Sequence, residues 1–412
     1  MGTNPINAGD TAWVLASSAL VLLMTAPGLA LFYGGMVRRK NVLGVLMQCF
    51  VCLALVSVLW VVYGYGLAFG KGSPFMGGLD WFMLKGVGQD PNPDYAGTIP
   101  HLAFMIFQAM FAVITPALII GSFAERMKFP AFLAFTGLWL TFVYCPIAHM
   151  VWGVGGFLRG MGALDFAGGT VVHINAGIAG LVTALYLGKR VGVGKPGMHN
   201  VPFVVLGASL LWFGWFGFNA GSALAANGLA AHAFVTTNTA TAMAVLSWCV
   251  MEWIFTGKPT TLGAASGAVA GLVAITPACG FVDIVGALWI GALVSVFCFF
   301  MVSVVKPKLG YDDTLDAFGV HAIGGFWGAM AVGLFATKLV NSAGADGLLL
   351  GNPGQVWIQF IACATTIAYT AIATFVICFV VDKVIGIRVA QEEEIMGLDL
   401  TQHHERAYTI LD

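Results

Sequence analysis

The chain has 412 residues, 59% hydrophobic and 9% charged, with a formal net charge of −1 and a mean hydropathy of +0.90. So little charge cannot cover the surface of a water-soluble fold, and a near-neutral balance gives no reason to expect nucleic acid as a partner. Long continuous apolar runs, in place of short alternating ones, exclude a membrane β-barrel and leave an all-α polytopic membrane protein.

Met1–Asp10 carries neither the basic stretch nor the cleavage site of a secretory signal. Windowed hydropathy then places eleven spanning helices near 11–32, 42–69, 101–122, 130–152, 169–187, 200–218, 232–255, 261–276, 284–304, 318–336 and 355–381, the eighth being the shortest. The stretch 70–100, rich in Gly, Pro and Asp, reads as a solvated loop. With the N-terminus outside, Arg38, Arg39, Lys40, Arg126, Lys128, Lys189, Arg190, Lys195, Lys258, Lys306, Lys308, Lys383, Arg388 and Arg406 fall inside. Only Lys71, Lys85, Arg159 and Lys338 then fall outside. That bias predicts N-out, C-in, and the odd helix count agrees. The expected division is a membrane domain over 1–382 and a cytoplasmic tail over 383–412, too short for a catalytic domain.

His173 and Asn175 interrupt the apolar run of the fifth predicted helix, and His321 that of the tenth. An ionisable group at that depth is costly and usually faces a pathway or a partner. Helices five apart run in opposite directions. Five plus five with a leftover eleventh therefore predicts two halves of inverted topology, with His173 and His321 meeting near the centre. Gly177, Gly180, Gly324, Gly325 and Gly328 lie close to these histidines and permit tight helix approach. His101, His149, His199, His232, His403 and His404 read as interfacial or tail residues.

Phe107 and Phe111 are four apart and project from one helix face. Trp152 ends the fourth predicted helix, and Trp215, Phe218 and Ser222 lie in G-W-F-G-F-N-A-G-S. Two readings stand for these aromatics: ordinary packing and belt anchoring, or a site where ring faces attract a cation. Two also stand for Asp165, a helix cap or a lure for cations at an outer vestibule. Val62-Tyr63-Gly64-Tyr65-Gly66 has the look of a potassium filter but ends a full span, not a re-entrant loop. The cysteines all lie in or beside apolar runs; Cys49 and Cys52 have no second pair or His at zinc spacing, so they read as small buried residues and no metal is expected. No paired carboxylates, G-x-S-x-G or phosphate-cradling loop marks an enzyme or a cofactor site.

The motifs T-A-P-G-L-A-L-F-Y-G-G at 25–35, L-W-V-V-Y-G-Y at 59–65, A-H-M-V-W-G at 148–153, D-F-A-G-G-T-V-V-H-I-N-A at 165–176, G-W-F-G-F-N-A-G-S-A at 214–223 and F-G-V-H at 318–321 resemble the ammonium transporter (methylammonium permease) family, related to the Rhesus glycoproteins, and its bacterial members in particular. The resemblance runs from residue 25 into the tail. It implies a homotrimer in the inner (plasma) membrane, in contact with lipid, with eleven helices and one pore per subunit for ammonium or ammonia. It implies an outer recruiting site at Phe107, Trp152 and Ser222, a gate at Phe107 and Phe111, twin pore histidines at His173 and His321, the family aspartate at Asp165, and further pore-lining aromatics at Trp215 and Phe218. The tail G-L-D-L-T-Q-H-H-E-R-A-Y resembles the segment that accompanies regulation by PII-type signal proteins, with His404 where bacterial relatives commonly have glycine. Two rivals to uptake remain: a sensor with little flux, and a neutral-gas channel of the Rhesus kind.

Overall fold

The computed structural model describes residues 5–192 and 198–408. Lys195 and the last four residues of the tail lie outside the described residues. What is described is helical, with only isolated bridges of extended backbone. Among the described residues ten helices are long and apolar enough to cross a membrane: α1 (Ala8–Met36), α2 (Arg39–Phe69), α3 (His101–Phe123), α4 (Phe129–Gly160), α5 (Gly169–Leu187), α6 (Val201–Ala223), α7 (Gly228–Thr256), α9 (Ile284–Leu309), α10 (Phe318–Phe335) and α11 (Pro353–Ile385). Between α7 and α9 lies the apolar α8 (Thr261–Ile275). At 1.5 Å per residue α8 is about 22 Å long, short of the ~30 Å hydrocarbon core. It ends where Pro277 follows Thr276, because proline withholds a helical N–H.

Helix α3 is the most enclosed, with most of its length buried, whereas α7, α9 and α11 expose long apolar faces. Such faces suit lipid. The helices are not regular throughout. Ala26 leaves the helical region inside α1 (φ −144°, ψ 118°). Wider π-type turns occupy Gly169–Ile174 and Phe318–Ala322, so His173 and His321 sit in matching irregular turns at the starts of α5 and α10. Turns of this type shift the direction of later side chains and recur at functional sites.

Two glycines let α5 and α10 touch. A Cβ on Gly177 would run into the Ala322 backbone, and one on Gly325 would lie 2.9 Å from the His173 Cβ. Helix α11 packs along both α5 and α10. Thr370 donates to Asn175 Oδ1 at 2.8 Å, and Gln359 Nε2 donates to the Leu164 and Ala329 carbonyls at 2.8 and 3.0 Å. Asn175 thus ties α5 to α11, away from the histidine contact.

One end of the bundle carries the 70–100 loop and the other carries the tail. At the tail end lie α12 (Gln391–Met396) and α13 (Leu398–His403). They are fastened by Asn41 Oδ1 accepting from Leu398 N and by Asp399 Oδ1 accepting from Gly44 N, both at 2.8 Å. His404 follows α13 in the left-handed region (φ 57°), the conformation glycine adopts at least cost.

Candidate functional site

The site begins with two helix starts. Asp165 lies just ahead of α5 and spends both carboxylate oxygens on it. Oδ1 accepts from Gly168 N at 2.8 Å and Gly169 N at 2.6 Å. Oδ2 accepts from Thr170 N at 2.8 Å, from Val171 N at 3.3 Å and from the Thr170 hydroxyl. A helix start leaves its first N–H groups unpaired and carries positive partial charge, so a carboxylate there meets both needs. Of the two readings of Asp165, the geometry matches the cap. Asp313 repeats the device at α10: Oδ1 accepts from the Ser122 hydroxyl at 2.7 Å and Ala317 N at 3.2 Å, and Oδ2 from Phe318 N at 2.8 Å. Burial, only partly offset by Lys306 and the Ser122 hydroxyl, holds Asp313 above the usual carboxylate range. Both aspartates precede their histidine by eight residues. That repeat was the available signal for Asp313, which sequence reasoning missed.

The capped helices bring the histidines together. His173 Nδ1 and His321 Nδ1 are 3.3 Å apart, and the rings are nearly parallel at 15°. Both are buried, and His173 Nε2 has no partner among the described residues. A 3.3 Å contact between two Nδ1 atoms requires one to donate and the other to accept. The rings therefore take opposite tautomers, and their two Nε2 atoms are left as one donor and one acceptor.

Aromatic rings continue from this pair. Trp215 lies parallel to His173 at 5.4 Å and is anchored by Nε1 donating to Thr276 Oγ1 at 2.8 Å. Phe218 is 6.1 Å from His173 and 4.2 Å from Phe111. Phe111 meets Phe107 edge-on at 5.0 Å and Trp152 at 5.9 Å. Thus α3, α4, α5, α6 and α10 all contribute to one file of rings.

A cavity opens at each end of this file. The one at the loop end, of about 170 Å³, is lined by Phe111, Trp152, Asp165, Ser222, Gln108 and Arg159, with Tyr95 and Asp94 among others. Trp152 is held by its Nε1 donating to the Asp165 carbonyl at 2.9 Å, and Ser222 Oγ donates to the Phe218 carbonyl at 2.9 Å. Phe107 is fully buried and meets the cavity's lining through Phe111. Gln108 Oε1, also missed from sequence, is buried without a partner among the described residues. The cavity at the tail end, of about 40 Å³, is lined by His321, Asp316, Ser266, Tyr33, Phe32 and Trp248 among others. His173 and His321 thus lie between two cavities, with Phe111, Phe218 and Trp215 on one side.

At the tail end Glu125 is buried between Arg38 (2.7 Å) and Arg190 (3.1 Å). Burial alone raises its pKa, but Arg38 and Arg190 more than reverse this and hold it below the usual value. Arg190 also pairs with Asp312 at 2.9 Å. Arg388 donates to the Leu187 and Lys189 carbonyls at 2.7 Å and pairs with Glu394 at 2.9 Å. His149 and His101, expected at an interface, are buried against the loop: His149 Nδ1 and Nε2 lie 3.0 and 2.9 Å from the Ala68 and Ser73 carbonyls. All eight cysteines are unpaired, and seven of them are buried.

A bundle of long apolar helices with opposed cavities and a buried file of rings between them is that of a multi-pass membrane protein. The model of the Ammonium Transporter Family matches residues 12–408, and the chain belongs to that family. It is 55% identical to an ammonium transporter of Bacillus subtilis over 400 residues, covering 97% of this chain and 98% of that one. An ammonium transporter of Aquifex aeolicus is 52% identical over 412 residues, covering 98% and 94%. Among solved structures, Saccharomyces cerevisiae Mep2 superposes with a TM-score of 0.88 at 36% identity, covering 94% of this chain and 89% of that one. A structure described as a sensor Amt protein superposes at 0.87 with 28% identity, covering 96% and 98%.

Proposed function

We propose that this protein takes up ammonium across the plasma membrane, recruiting it at the loop-end cavity and conducting it as ammonia past His173 and His321. Ammonium transport as the general activity is supported by the family and its relatives. The observation that carries the finer reading is the histidine pair, buried at 3.3 Å between two cavities behind a file of aromatic rings. On this reading the loop end faces outward and the tail end, with its arginines, faces the cytoplasm.

Trp152 and Phe111 offer ring faces to a cation, and the Ser222 oxygen and Gln108 Oε1 offer acceptors to its N–H groups. Below them an unshielded ion would meet apolar rings, at an idealised cost of tens of kcal/mol. Ammonium escapes that cost by leaving its proton behind, which at pH 7 costs roughly two pKa units, or about 3 kcal/mol. Potassium has no such route. The histidine pair then gives ammonia one donor and one acceptor at its Nε2 atoms. Moving the shared proton from one Nδ1 to the other, as one Nε2 accepts a proton and the other releases one, passes a proton across the pair without leaving net charge. The two rings titrate as one unit.

The homotrimer, the regulatory role of the 383–412 tail and the docking of a PII-type protein at the tail end belong to the same proposal. The docked α12 and α13 are compatible with a tail that biases the inner mouth. A sensor reading is favoured by one observation, the likeness to the sensor Amt protein. Flux into proteoliposomes separates the two: sustained ammonium-driven uptake supports transport, and saturable binding without flux supports sensing. Voltage-dependent current distinguishes ammonium transport from a neutral-gas channel, which is indifferent to voltage.

A further inference from the structure

The loop-end cavity takes in a cation, on the reading above, yet its lining includes a resident cation, Arg159. The guanidinium stands over the Tyr95 ring, 5.8 Å from its centroid, and donates to the Trp152 carbonyl at 2.6 Å. Tyr95 is itself rigidly placed. Its hydroxyl donates to the Phe69 carbonyl at 2.5 Å and accepts from Val154 N at 3.1 Å, and its ring stacks on Phe104 at 5.0 Å. Arg159 therefore covers an aromatic face that would otherwise be open to a guest cation.

Three charged side chains line this cavity: Asp94, Asp165 and Arg159. The Asp165 carboxylate is turned into the start of α5 and occupied by five donors. The charges left facing the mouth are Asp94 and Arg159, which oppose each other. Both are exposed, so their influence is screened by salt.

We propose that Arg159 is a specificity- and affinity-setting residue of the loop-end cavity: a fixed guanidinium that weakens capture of ammonium and other small monovalent cations by occupying Tyr95 and by repulsion, with Asp94 acting in the opposite sense. The inference rests on the loop-end cavity being the ammonium entry site. The site then owes its hold to ring faces and acceptors instead of net charge, which favours a guest with N–H donors over a bare ion.

The test is the concentration dependence of ammonium currents from the purified full chain in proteoliposomes, at low and high ionic strength. At low ionic strength Arg159→Gln should lower KM two- to fivefold, from one unit of charge at roughly 8 Å in water and the uncovered ring. Asp94→Asn should raise KM about twofold. Arg159→Lys keeps the charge and should stay close to the parent. Tyr95→Leu added to Arg159→Gln should return part of the change. All charge effects should shrink as an inert salt is raised. An unchanged KM in Arg159→Gln at low ionic strength, or a lysine variant that behaves like the glutamine one, overturns the inference while leaving ammonium entry intact. Absence of both saturable ammonium uptake and saturable ammonium binding in the parent chain would overturn the entry reading, and this inference with it.

Discussion

Replacing Asp165 by alanine separates the two roles a carboxylate can have at the head of α5. The substitution strips acceptors from Gly168 N, Gly169 N, Thr170 N, Val171 N and the Thr170 hydroxyl at once. All lie in a buried turn. Each donor left unpaired costs about 1–3 kcal/mol, but neighbours and water recover some of them, so a net loss of about 3–5 kcal/mol is expected. With an unfolding entropy of about 2.1 cal/mol/K per residue, this corresponds to a fall in Tm of roughly 4–6 °C for a chain this long. Asparagine keeps one acceptor oxygen but turns an NH₂ toward other donors, so Asp165→Asn should fall between the parent and the alanine variant. The assay is thermal unfolding of the purified protein alongside ammonium uptake. If Asp165→Ala melted within a degree of the parent while KM rose tenfold, Asp165 would be a lure for cations, and the capping argument would be wrong.

Trp152→Leu removes a ring from the loop-end cavity; a partly desolvated cation–π contact of about 1 kcal/mol predicts a KM for ammonium roughly fivefold higher, read from concentration-dependent uptake. Glu125→Gln leaves Arg38 and Arg190 without their shared carboxylate, and breaking a buried pair predicts a loss on the order of 3 kcal/mol. Glu125 is held below the usual carboxylate value. Its contribution is thus complete above about pH 4.5 and disappears as pH falls through its folded-state value. The parent should lose stability below about pH 4 more steeply than Glu125→Gln, which denaturation at a series of pH values would show.

The pairing of His173 with His321 was legible because an ionisable residue inside an apolar run is rare, and because helices five apart run in opposite directions. The structure places the rings in contact. Helix positions were legible for the same reason, apolar run length: α5 was expected at 169–187 and is found at Gly169–Leu187. The end of α8, expected at 276 and found at Ile275, was legible in the same way; run length could not show that Thr276–Phe281 stay buried without continuing the helix. The shared face of Phe107 and Phe111 followed from their spacing. Which ring borders the loop-end cavity depends on the packing of α4 and α6, and it is Phe111 that does so. Asp313 escaped notice because a carboxylate in a polar loop looks solvated until Ser122 and the start of α10 close over it. The π-type turns at both histidines were equally invisible, since residue spacing assumes a regular helix.

The central claim is that the path between the cavities admits only a guest able to shed its charge. Ammonium and potassium currents from the purified chain in proteoliposomes, compared at equal driving force, test it most directly. The account predicts clear ammonium-driven transport with no potassium current, and a loss of transport or of that discrimination when His173 or His321 is replaced by alanine. Potassium currents comparable to those with ammonium in the parent protein, or full selectivity in both alanine variants, would contradict it.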